Sequence, residues 1–208
     1  MKLLAVVPFL MLAGAAGAAA QSPTTATTDD GRKVLLFPDG KWKFAAASTA
    51  GAAGRANTRS PAATERVELL RGAMAIFVDP AKWKKQPPTD DLTKTTFHHS
   101  SGEAYGMIVA ERLAIPLLKL KEIAISNARA AAPDAKVVFE ETRHVNDIHV
   151  LVMQMEGTIQ GIAFTYYGYY YSGSQGSLQV LTYTGTNLFA EYKGSFEEFL
   201  NGLTASKS

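Results

Sequence analysis

Residues 159–184 constrain the fold more than any other part of the chain. Tyr166, Tyr167, Tyr169, Tyr170 and Tyr171 form a dense aromatic run. It passes through a Gly/Ser cluster at Gly173–Gly176 into Leu178-Gln-Val-Leu-Thr-Tyr-Thr184. Tyrosine, valine and threonine suit a pleated surface, and a Gly/Ser cluster between two such runs is a hairpin signal. The pattern predicts strands at 159–171 and 178–184. It therefore predicts an antiparallel sheet rather than a helical or repeat protein, and it names no reaction.

The N-terminus carries an address. Lys2 precedes a short apolar stretch that ends in Ala18-Ala19-Ala20 before Gln21. This is the form of a secretory signal peptide over residues 1–20. A membrane span needs ~20 apolar residues, and the second half of this stretch is Ala and Gly. Periplasmic or secreted localisation is expected, with no membrane span after cleavage. The chain contains no cysteine. Disulfides, thiol catalysis, thiolate metal sites and cysteine lipidation are thereby excluded. The formal net charge is +2 with Lys2 counted, and no block of basic residues occurs, which argues against a nucleic-acid partner.

Composition divides the rest. Residues 21–31 are rich in Ser, Thr and Asp and read as loose. Two β-prone runs, 32–37 and 41–44, flank Pro38-Asp39-Gly40 and predict a small hairpin that closes an N-terminal segment, 21–44. Residues 45–64 are mostly Ala, Ser, Thr and Gly, which predicts a flexible linker. The main domain is expected over 65–208. It opens with a strand at 73–78, one helical turn at 81–85 capped by Asp79, and a hairpin of 95–99 with 104–110.

Leu117, Leu120, Ala124, Ala128 and Ala131 recur at helical spacing between Pro116 and Pro133 and predict a helix over 117–131. Asn146-Asp147 predicts a two-residue hairpin turn between strands 137–145 and 148–156. Along 148–155 both alternating sets are apolar, so that strand should be central and covered on each side. Ser195-Phe-Glu-Glu198 has the capping-box form and predicts the start of a C-terminal helix. The fold class expected is α+β: an antiparallel β-sheet covered by helices on both faces, preceded by a small β-hairpin.

Few residues suggest chemistry. The Asn146-Asp147 turn puts His144 opposite His149, close enough for two imidazoles to share a metal ion, with Glu140 a distant third ligand. Two ligands fall short of a zinc site, so a polar hairpin tip is the plainer reading. The alternative function is a small periplasmic hydrolase or metal-dependent enzyme using His144 and His149. His98 and His99 point to opposite faces of a strand and cannot act together. Gly173-Ser174-Gln175-Gly176 lacks the spacing of a hydrolase elbow, and no glycine-rich loop opens a helix with Lys-Ser/Thr. Tyr166 and Tyr170 share one strand face with Gly168 between them. That gap would admit a helix, another backbone or a ligand. Tyr166, Gly168 and Tyr170 are therefore the candidate ligand-binding residues; no cofactor is called for.

The text Phe164-Thr-Tyr-Tyr-Gly-Tyr-Tyr-Tyr171, with Thr182-Tyr-Thr184, Asn187-Leu-Phe189 and Phe199-Leu-Asn-Gly202, resembles exported bacterial proteins of the PsbP/Mog-like (DcrB-like) group. The resemblance covers residues 66–203 and extends to the order of elements. It implies an α/β/α sandwich. It also implies a non-enzymatic binding or accessory module whose partner is a protein or small-molecule ligand in the cell envelope. No catalytic motif comes with it. The 32–44 hairpin is similar to short Asp-Gly-Arg…Asp-Gly-x-Trp modules ahead of exported domains.

Overall fold

The N-terminal segment forms a three-stranded antiparallel sheet: β1 (Thr24–Thr27), β2 (Lys33–Leu36) and β3 (Trp42–Phe44), in that order. The β2–β3 turn is the predicted one. Gly40 adopts φ 79° and its N–H donates to Phe37 O at 3.0 Å. β1 corrects the reading of 21–31 as loose, because its threonines pair with β2 from Thr24↔Leu36 to Thr27↔Lys33. The structure is a computed structural model describing residues 24–27, 33–37, 40–44, 57–88, 91 and 93–206. The predicted signal peptide and residues 45–56 of the expected linker lie outside the described residues.

Residues 57–64, the rest of that expected linker, make specific contacts. Asn57 O accepts from Asn146 N–H at 3.2 Å, Arg59 N–H donates to Asn146 Oδ1 at 3.0 Å, and Ala63 is buried. β4 (Glu65–Leu69) and β5 (Met74–Val78) follow and pair. Asp79 does accept from Ala81 N–H, as a cap would, at 2.9 Å. The chain then enters a strand, β6 (Trp83–Lys85), in place of the helical turn expected there. Trp83 explains the difference: it is 1% exposed and packs on Phe199 at 4.6 Å between ring centroids, a long-range contact that overrides local preference.

β7 (Lys94–His99), β8 (Ala104–Glu111), helix α1 (Leu117–Ala131), β9 (Lys136–Val145), β10 (Ile148–Ile159), β11 (Ile162–Gly173) and β12 (Gly176–Gly185) complete the main body. The seven-stranded antiparallel sheet has the order β6-β7-β8-β12-β11-β10-β9. Asn146 and Asp147 both take positive φ, 43° and 69°, as a tight hairpin of this hand requires. A second such turn, Gln160-Gly161 with φ 51° and 82°, divides the region expected to be one strand from 159 to 171. Its flanks, Ile159 and Ile162, pair across it. β10 is apolar on both sides as predicted, but it is next to the edge rather than central; β12 holds the middle.

The C-terminal helix α2 (Phe189–Leu200) begins after a turn at Thr186–Leu188, so Ser195 lies inside it and caps nothing. The sequence pattern of a capping box is only a signal where the Ser has non-helical backbone. β13 (Leu203–Ala205) returns to pair with β5, giving a third sheet, β13-β5-β4.

Alternate residues of the central strands pack with different elements. Val150, Val152, Tyr167, Tyr169 and Val180 cluster with Phe196, Phe199 and Leu200 of α2 and with Ile76 and Leu203 of the small sheet. Leu151, Met153, Tyr170 and Leu181 cluster with Leu120 and Ala124 of α1. Ala128 continues the α1 contact toward Met155 and Phe164. Buried Leu120, Ala124 and Ala128 fall at i, i+4 and i+8, the stripe anticipated from sequence. Among the described residues no helix is long and apolar enough to cross a membrane.

Candidate ligand-binding cleft

One cross-strand row sets up the cleft. Lys94 pairs with Val109, Val109 with Gln179, and Gln179 with Tyr170. In a sheet such neighbours share a face, and here that face meets α1. Ala124 and Ala128 are small, so α1 leaves a cavity of about 550 Å³ beneath it, floored by Tyr166, Tyr170, Gln179 and Leu181. Volumes of this order are those of small-molecule sites, which are mostly apolar with a few convergent polar groups.

The polar groups here are unusual. Tyr170 is fully buried, and its hydroxyl has no hydrogen-bond partner among the described residues. Burial, with the neighbouring Tyr166 phenol, pushes its pKa upward, so it stays a neutral donor. Gln179 is 8% exposed, and its side-chain amide makes no hydrogen bond among the described residues. Buried polar side chains are ordinarily satisfied, so the Tyr170 hydroxyl is an exception that points to a ligand, and the Gln179 amide lines the cavity beside it. At the rim, Lys94 Nζ pairs with Asp91 at 2.8 Å. That bond and those from Thr93 hold the Asp91 carboxyl down at about 2. Glu111 also lines the rim and makes no ion pair among the described residues.

Two of the three residues singled out in the aromatic strand meet in this cleft. Tyr166 lines its far end, with its ring 4.8 Å from Phe164 and 5.1 Å from Tyr183. Gly168 does not line the cavity. A Cβ there would lie 2.5 Å from Leu181 Cδ2 and 2.8 Å from Val180 O, so the space beside it is filled by the neighbouring strand.

His144 and His149 pair in the register expected, with ring centroids 4.8 Å apart, and both are exposed. Glu140, the distant third candidate, is taken by Lys121 of α1 in an ion pair. Among the described residues no group of three or more His, Cys, Asp or Glu is close enough to hold a metal ion. His98 is exposed against Tyr105, whereas His99 packs edge-on to Trp83 and Tyr192, where burial lowers its pKa.

Sequence reasoning passed over Gln179 and Arg143. A lone glutamine inside the apolar run Leu178-Gln-Val-Leu was a legible signal for the first. Arg143 reaches across the opposite face: it donates to Tyr169 Oη at 3.0 Å, Tyr167 Oη at 3.3 Å and Glu141 at 2.8 Å. Burial pushes Tyr167 up to about 12 despite the Arg143 charge. Asn146 Nδ2 donates to Asn201 O at 2.6 Å and Leu203 O at 2.8 Å, tying the β9–β10 turn to the end of α2. This network is a clamp between the sheet edge and the C-terminus.

No protein-family model matches the chain, and no curated protein sequence matches it. Solved structures do. The solution structure of the cyanobacterial PsbP, CyanoP, from Synechocystis is 9% identical, with a TM-score of 0.52 over 76% of this chain and 98% of CyanoP. The Saccharomyces cerevisiae Ran-binding protein Mog1p is 10% identical, with a TM-score of 0.47 over 69% of this chain and 95% of its own. LpqN, involved in cell envelope biogenesis of Mycobacterium tuberculosis, is 10% identical, with a TM-score of 0.41 over 64% of this chain and 83% of its own. At such identities the likeness to CyanoP is one of fold: this chain has the PsbP/Mog fold.

Proposed function

We propose that this protein is an exported, non-enzymatic binding or accessory module of the cell envelope, an α/β/α sandwich that takes its ligand in the cleft between α1 and the main sheet. The observation that carries the reading is the fully buried Tyr170, whose hydroxyl lacks a partner among the described residues and whose cross-strand neighbour Gln179 lines the same cavity. The signal-like N-terminus supports export, and the PsbP/Mog fold supports a role without catalysis. The paired histidines favour a second reading, a metal-dependent enzyme centred on His144 and His149. It needs a third ligand that the described residues do not bring near.

The test is a neutral fluorescent probe for apolar sites, N-phenyl-1-naphthylamine. It should bind the purified protein with one-to-one stoichiometry and be lost in Ala124→Trp, which fills the cleft. Because overpacking costs ~1–3 kcal/mol, circular dichroism must show the variant folded. Ile123→Trp, at the more exposed edge of the same cleft, is the second variant. Folded variants that bind the probe as the native protein does would overturn the reading.

A further inference from the structure

The cleft is elongated. On α1 its wall runs from Leu120 to Ala131, and at 1.5 Å rise per residue that is ~17 Å. The cavity, about 550 Å³, is therefore elongated along the helix. Its two ends differ. Toward Ala128 and Ala131 it is lined by Met155 and Tyr166. Toward Leu120 it ends at Gln179 and Tyr170, with Glu111 and the Asp91–Lys94 pair on the rim. The polar end therefore offers one phenolic donor and one carboxamide, donor and acceptor both. Around them stand two carboxylates and one ammonium, an excess of negative charge.

Resting on the reading of the cleft as a ligand site, we infer that its ligand is a single-chain amphipath with an uncharged, hydrogen-bonding head. The acyl or alkyl chain lies along α1 toward Met155 and Tyr166. The head, a hydroxyl, ester or amide group, meets Gln179 and Tyr170. A carboxylate head is disfavoured by Glu111 and Asp91, whose charges are not balanced by Lys94 alone. The chain supplies affinity by leaving water, and the polar end supplies selection, because the buried Tyr170 hydroxyl is satisfied only by a head that returns a hydrogen bond and the Gln179 amide beside it offers a second.

The experiment is displacement of N-phenyl-1-naphthylamine from the native protein by a homologous series of 1-monoacylglycerols, and by the fatty acids of the same chain lengths, below their micellar concentrations. Affinity for the monoacylglycerols should rise ~fourfold per methylene until the cleft is full and then level off. The matching carboxylates should bind ~tenfold more weakly at low salt, with the difference narrowing as salt is added. Gln179→Leu should shrink the preference for the uncharged head and leave the chain-length slope unchanged. Equal binding of the two series, a preference for the carboxylates, or a slope indifferent to chain length overturns the assignment. Failure of every amphipath to displace a probe that Ala124→Trp abolishes would also overturn it, while leaving the cleft as the ligand site.

Discussion

The Tyr169 hydroxyl donates to Asn201 Oδ1 at 2.9 Å while it accepts from Arg143 at 3.0 Å, so one phenol joins the sheet edge to the end of α2. Tyr169 is fully buried, and its removal leaves both partners short of a bond. Tyr169→Phe should destabilise the fold by ~1–3 kcal/mol, read from the urea midpoint. An unchanged midpoint would mean that the Arg143 network is ornamental.

The buried phenols make the fold sensitive to alkali. Burial raises Tyr167 to about 12 and moves Tyr166, Tyr169, Tyr170 and Tyr183 upward as well. Unfolded phenols lose their protons near ~10, so in that range the unfolded chain binds fewer protons than the folded one. The stability these groups contribute is whole below pH ~10 and is lost as pH rises through the folded values. Tyrosinate absorbance and circular dichroism should change together in one steep transition. Smooth titration near ~10 with the fold intact would contradict this.

Gly168 is required by the sheet itself. Gly168→Ala places a Cβ against Leu181 and the Val180 carbonyl, and the backbone oxygen cannot rotate away. A loss of ~1–3 kcal/mol is expected, with probe binding retained in the protein that remains folded. Undiminished stability with lost probe binding would instead put a ligand beside this glycine.

Limited trypsin digestion should cut at Arg55 before Arg59. The Arg59 guanidinium lies 4.1 Å over the Phe77 ring and its N–H bonds Asn146, whereas residues 45–56 keep the linker composition. Mass spectrometry should find a product beginning at Ala56. Equal early cleavage after Arg59 would show that the 57–64 contacts open readily.

Local signals carried much of this fold. Pro116 and Pro133 bracketed α1, and Asn146-Asp147 fixed the register that brings His144 to His149. The misses share a cause. Trp83 lies in a strand because Phe199, far along the chain, packs on it, and Leu203 pairs with Ile76 by a closure no local pattern announces. The Gln160-Gly161 turn sits within continuous apolar text, and Ser195 carries a cap signal in the middle of a helix. Of the candidate site, Tyr166 and Tyr170 were legible from alternation alone. The role of Gln179 needed the cross-strand row, and the filling of the Gly168 gap needed Leu181.

The most direct measurement is an amide chemical-shift map of the isotopically labelled protein titrated with the neutral probe. Shifts should concentrate at Tyr166, Tyr170, Gln179, Leu181 and the Leu120–Ala128 stripe of α1, with His144 and His149 unmoved. The double variant His144→Asn, His149→Asn should give the same map. Shifts centred on the β9–β10 turn and abolished in that double variant, together with stoichiometric metal in the native protein, would contradict the cleft and favour the histidine pair.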